Sequence, residues 1–239
     1  MKNLVVVAIV ILICVAGLAQ QQPPTTVFVI GGIHQSHEGA SKYTYERMGE
    51  IYKHLRPEVL CVEGLQQYID DGTFKLMPRD FSRFMVPQAK KDGIPIVGID
   101  WWNDNGGRWL ELQRKSENDP HLASANEVWG GLFLSLNRYF AENDFEQVNA
   151  PEVTALWAAK NRLRERVLAG FPEYRFIPEF ERERNDQMLA KTVAAVNAHP
   201  GKRILVAVGI DHKFFLEEGL RAQGVRVLEV ADVMTQWWK

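Results

Sequence analysis

Cysteine is scarce in this chain: there are two among 239 residues, Cys14 and Cys61. Cys14 falls in an N-terminal run expected to be removed, so no disulfide can form within what remains and the fold must rest on its core. A dominant charge is missing too. The 28 Lys and Arg against 30 Asp and Glu leave a net charge of −2 with no sustained basic run. That composition offers no electrostatic footprint for nucleic acid or anionic lipid. There is no repeat on a solenoid period and no low-complexity tract beyond Gln20–Pro24. These absences leave a globular protein, and a 46% apolar content in a chain of this length suits one good-sized α/β domain.

The first residues, MKNLVVVAIVILICVAGLAQQQPP, carry one cation at Lys2 and an apolar or small run from Leu4 to Ala19. This is the pattern of a secretory signal peptide over residues 1–19, with Gly17 and Ala19 as the small residues before a cut ahead of Gln20. The run falls short of the about 20 apolar residues that span a bilayer. Ile13, bulky where lipid processing wants a small residue, argues against Cys14 as an anchor. The sequence therefore predicts an exported protein, periplasmic or extracellular, with no stable membrane insertion after cleavage.

Over residues 25–239 the reading is a single α/β domain with a mostly parallel central sheet flanked by helices. Apolar β-rich runs at Val27–Gly32, Val59–Glu63, Ile94–Asp100, Arg203–Ile210 and Val225–Val230 alternate with helical patterns. Between the first two, Tyr45, Met48, Ile51, Tyr52 and Leu55 recur at the spacing of one helix face. A second helix near Arg79–Lys91 stops at Gly93. From about residue 103 to 176 no strand is convincing, and Trp109–Lys115, Ala125–Phe140 and Pro151–Leu168 read as helices. This is a helical insertion or cap, either further packing or the roof of a substrate pocket. A long helix from about Pro178 to Ala198 precedes the fourth strand.

Loops that leave the carboxyl ends of parallel strands share one edge of the sheet, so residues distant in sequence meet there. That rule selects His34, Glu63, Asp100 and His212. Both histidines sit in Gly-x-x-His, as Gly31-Gly32-Ile33-His34 and Gly209-Ile210-Asp211-His212. Two histidines and a carboxylate at converging strand ends suit a divalent metal such as Mn, Co or Zn with one position open for water. A metal held by His34, Glu63 and His212 would lower the pKa of that water, with Glu63 as ligand or as general base. Arg184 would stabilise an oxyanion or hold a substrate carboxylate, unless it is a surface residue among its charged neighbours. His37, Glu38 and Asp100 are candidates to support a ligating histidine.

The paired Gly-x-x-His motifs, the Glu after the second strand, the ERERND stretch and the tail ILVAVGIDHKFFLEEGLRAQGVRVLEV resemble the TraB/PrgY/GumN and Tiki group. That group shares a superfamily with the erythromycin esterases and the ChaN haem-binding lipoproteins. The resemblance covers roughly residues 27–100 and 178–230. It implies a metal-dependent hydrolase of an amide or ester bond in small molecules or peptides, with His34, Glu63 and His212 as the essential residues. Arg184 and Asn185 match a polar pair on the same helix. A haem- or iron-binding protein of ChaN type is the alternative, motivated by export and by the loop Tyr43–Tyr45.

Overall fold

Val27, Phe28, Val29 and Ile30 are β-branched or aromatic, favour extended backbone, and form the middle of β1 (Thr26–Gly32), a strand buried on both faces. The computed structural model describes residues 24–102, 104–229 and 234. The segment read as a signal peptide lies outside the described residues.

In chain order there follow α1 (Tyr45–Leu55), β2 (Val59–Val62), α2 (Gln66–Asp70), a wide turn over Phe81–Met85, α3 (Val86–Asp92) and β3 (Ile96–Gly98). The helical stretch is α4 (Gly106–Glu117), α5 (Ala123–Glu142), α6 (Phe145–Val148) and α7 (Pro151–Ala169). Then come α8 (Phe176–Ala198), β4 (Arg203–Gly209), α9 (Ile210–Ala222) and β5 (Arg226–Leu228). The five strands make one parallel sheet in the order β3-β2-β4-β1-β5, so the fold is α/β as the alternation predicts. β3 is shorter than its apolar run. Ile94 N–H closes the preceding helix on Ala89 rather than entering the ladder, and the Gln66 side chain takes Gly98 N–H at the other end.

Alternate residues of the central strands feed two cores. Phe28, Ile30, Leu60 and Val62 face Met48, Ile51 and Leu55 of α1 and Val86 and Ala89 of α3. Val27, Val29, Cys61, Val206 and Val208 face Met188 and Ala195 of α8 and Leu216 and Leu220 of α9. Among the described residues no helix is long and apolar enough to cross a membrane. The register pairs Gly32 with Gly209, which sets the two Gly-x-x-His segments side by side at one edge of the sheet. β2 lies beyond β4, and β3 beyond β2, so four adjacent strands end toward the same place.

Candidate functional site

His34 lies two residues past the end of β1, in left-handed backbone with φ of 49°, a conformation that costs energy for any residue with a Cβ. What holds it is Asp80, fully buried at the start of the wide turn. Its carboxylate accepts from the His34 backbone N–H at 3.2 Å and from Phe81 N–H at 3.1 Å, and its Oδ2 lies 3.3 Å from His34 Nδ1. With Nδ1 turned to Asp80, the ring presents Nε2 toward Gly209. A Cβ on Gly209 would stand 2.5 Å from that Nε2 and 3.3 Å from Glu63 Oε2, and one on Gly32 would stand 2.3 Å from Asp80 Oδ2. The glycines at the two strand ends leave room for side chains to cross over the backbone.

Glu63 follows β2 and is buried. Gly209 N–H donates to its Oε2 at 2.6 Å, and Arg184 Nη2 donates to its Oε1 at 2.9 Å. Arg184, on α8, also donates from Nε to Asp100 Oδ1 at 2.7 Å, and its Nη1 lies 2.9 Å from His212 Nε2. A guanidinium only donates, so His212 Nε2 accepts and its Nδ1 carries the proton to Asn185 Oδ1, 2.6 Å away. Asp100 is fixed further by Trp101 N–H and Trp102 Nε1–H, while the Arg184 guanidinium lies over the Trp102 ring at 4.8 Å.

The charges follow from this geometry. Burial works against ionised Glu63, but His212, Arg184 and His34 and the Gly209 N–H outweigh it and pull the carboxyl down to about 2. Burial likewise opposes charge on His34. The hydrogen bond to Asp80, with the negative charges of Glu63 and Asp80, wins and raises the imidazole to about 9. Asp80 is held far below the usual carboxylate range: its hydrogen bonds with His34 and His37 overcome its own burial. His212 moves the other way, kept neutral by burial and then by Arg184. At neutral pH the site thus holds one ionised Glu, one protonated and one neutral His, and a fixed guanidinium.

The structure brings His34, Glu63, Asp100, Arg184, Asn185 and His212 into one connected network at the carboxyl edge of the sheet. His37 is buried and sits behind Asp80, with Nε2 3.5 Å from Asp80 Oδ2 and Nδ1 2.6 Å from the Tyr43 carbonyl oxygen. Its route to His34 runs through Asp80. Glu38 is half exposed and pairs with Arg79 at 2.5 Å. Sequence reasoning missed Asp80: an acidic residue opening a helical turn reads as a cap, which it is, and nothing in its spacing shows that it also holds His34.

The expected metal can be tested on these donors. Among the described residues no three His, Cys, Asp or Glu side chains are placed to hold a metal ion. Glu63 Oε1 and His212 Nε2, the atoms that would share an ion, both accept from Arg184. As arranged, His34, Glu63 and His212 do not fit a resident metal. Nor does the Tyr43–Tyr45 loop offer a haem ligand through Tyr43, which is fully buried with its hydroxyl donating to the Gly31 carbonyl oxygen. The Tyr45 ring is stacked on Phe84.

Two cavities approach the network. One of about 870 Å³ is walled by α4, α5 and α7 together with α8 and α9, and it exposes Arg184, Asn185, His212 and Lys160 beside Trp109, Trp129 and Phe133. The other, about 570 Å³, is lined by His34, Gln35, Glu38, Met77 and Arg79. Glu63 lines neither and stands between them. Cys61, the cysteine of the described chain, is buried and its thiol is pushed up to about 12, so it is no nucleophile. No family model matches the chain, and neither a curated protein nor a solved structure does.

Proposed function

We propose that the protein is an exported hydrolase that cleaves an ester or amide bond with a water activated at His34. The observation that carries this reading is the Asp80–His34 pair. It fixes the imidazole through Nδ1 and presents Nε2 beside the ionised Glu63. This is the arrangement of a general base whose tautomer and orientation are set by a carboxylate behind it. His34, once deprotonated, takes a proton from water, and Glu63 stabilises the imidazolium that results. The same proton is then delivered to the leaving alkoxide or amine.

His212 serves a different end, since its Nε2 is occupied by Arg184. Arg184 keeps Glu63 ionised, and its guanidinium N–H groups not spent on Asp100, Glu63 and His212 face the larger cavity, where they would hold a substrate carboxylate. The resemblance to the TraB and Tiki group supports hydrolysis as the reaction class. Glu63 Oε1 and His212 Nε2, two of the donors a metal would need, are engaged by Arg184.

The purified chain is assayed against chromogenic esters and aminoacyl amides, with chelator and with added Mn, Co or Zn. Hydrolysis that His34→Ala reduces at least about a hundredfold, in keeping with the loss of a general base, is the expected result. Turnover unchanged in His34→Ala removes the reading.

A further inference from the structure

Leu76 is the most exposed large apolar side chain among the described residues, at 76%. It stands in left-handed backbone with φ of 59°, and Phe74, two residues earlier, does the same at 50°. A scattered surface leucine in relaxed backbone needs no explanation. One held outward by a conformation that costs energy at any residue with a Cβ does, because such strain persists where the surrounding structure imposes it and gathers at ligand sites.

The chain on both sides of Leu76 is anchored inward. The Asp71 carboxylate accepts from the Thr73 N–H and hydroxyl at 2.8 and 2.7 Å. Phe74 N–H donates to the Tyr68 carbonyl oxygen at 3.0 Å, and the Phe74 ring packs against the core with the Lys90 ammonium 4.9 Å from its centroid. Met77 N–H donates to the Phe74 carbonyl oxygen at 3.2 Å, and the Met77 side chain is buried against Gly64, where a Cβ would overlap its methyl group. The Pro78 carbonyl oxygen then accepts from Phe81 and Ser82 N–H, which leads the chain directly into Asp80. Between the buried Phe74 ring and the buried Met77, Leu76 is turned out.

It is turned out beside His34. Leu76, Met77 and Pro78 form the apolar wall of the cavity of about 570 Å³ that His34 also lines. The rest of the lining is Gln35 and the Glu38–Arg79 ion pair, whose charges compensate each other. Burial of apolar surface is therefore what this cavity offers a ligand group next to the imidazole. We propose that Leu76, with Met77 and Pro78, is a subsite for a small aliphatic group seated beside His34. Resting on the hydrolase reading, that group is the acyl or alkyl substituent next to the scissile bond, and the substrates are aliphatic esters or amides.

Binding is measured apart from turnover, by the shift of the His34 ring resonances on titration with propanone and heptan-2-one, ketones that carry a carbonyl and cannot be hydrolysed. The native chain is expected to bind heptan-2-one at least about tenfold tighter than propanone, since each buried methylene strengthens binding about threefold to fourfold. In Leu76→Ala that ratio falls at least about fivefold, and Leu76→Met restores it. Leu76→Gly, which fits left-handed backbone, loses it as well. Turnover is measured with nitrophenyl acetate, butyrate and hexanoate, which vary the acyl side, and with ethyl, butyl and hexyl acetate, which vary the leaving side. In one of the two series the preference for the longer chain falls in Leu76→Ala through KM rather than kcat, and that series names the side. Equal binding of the two ketones by the native chain overturns the subsite, as does a folded Leu76→Ala or Leu76→Gly that keeps the native ratio. Ketone discrimination that depends on Leu76, with no ester or amide turned over, supports the subsite and removes the hydrolase reading alone.

Discussion

At the scale of single residues, Asp80 decides what His34 does. It accepts from the His34 backbone and faces its ring, and its charge helps lift that ring to about 9 from an ordinary 6.5. In Asp80→Asn the lift is lost while the burial that opposes charge remains. The His34 titration followed by NMR is expected to fall from about 9 to 6.5 or below, and the alkaline rise of hydrolysis to move with it. A titration left near 9 would assign the lift to Glu63 instead. The same shift has a stability side. A group raised on folding contributes its full stability below about 6.5 and loses it as the pH climbs through about 9. The native melting temperature should therefore decline across that window, and Asp80→Asn should flatten the decline. Glu63 acts at the other end, contributing above its ordinary 4.5 and losing that contribution only as the pH falls toward about 2.

At the scale of elements, β1 carries the site and ends on an edge that β5 leaves uncovered, since β5 pairs only as far as Phe28. Beyond that point the edge is covered by Asn149, just past α6. Its Oδ1 accepts from Gly31 N–H at 2.7 Å and its Nδ2 donates to the Gly31 carbonyl at 3.3 Å, which also accepts from the Tyr43 hydroxyl. One buried side chain does the work of a neighbouring strand. Asn149→Ala strands the Gly31 N–H in the core, so denaturant unfolding should show a loss of about 1–3 kcal/mol. Hydrolysis should weaken with it, because His34 is three residues further on. A loss under about 0.5 kcal/mol would mean that water covers the edge as well.

The strands and the residues at their ends were legible because buried parallel strands read as apolar runs, and the carboxyl-end rule then picks His34, Glu63, Asp100 and His212. Asn149 was not legible, being one polar residue 118 positions from its partner. Nor was the direction in which Arg184 points: its helix is charged on several sides, and only packing shows which side meets the sheet. The closely set His37 and Glu38 drew notice by proximity to His34, yet one supports Asp80 and the other pairs with Arg79.

At the scale of the whole molecule, the site is reached from two sides. His34 lines the cavity of about 570 Å³, and Arg184 and His212 line the one of about 870 Å³, walled by the helices of residues 106–169. If the bond is cut at His34, the smaller cavity holds the reacting group and the larger one takes the rest of a bulky substrate. Blocking each cavity separately tests this division. Gly130, on α5, faces the larger cavity with nothing within 4 Å of a Cβ placed there, so Gly130→Trp fills space without displacing a neighbour. Gln35→Trp fills the smaller one beside His34. Gln35→Trp should depress kcat/KM for every substrate, the smallest ester included. Gly130→Trp should leave the smallest ester untouched and raise KM for substrates with a large acyl or leaving group, because the interaction it removes is remote from the reacting atoms. Were Gly130→Trp instead to abolish turnover of the smallest ester, the bond would be broken on the Arg184 side. His34 would then act across Glu63 rather than directly on water.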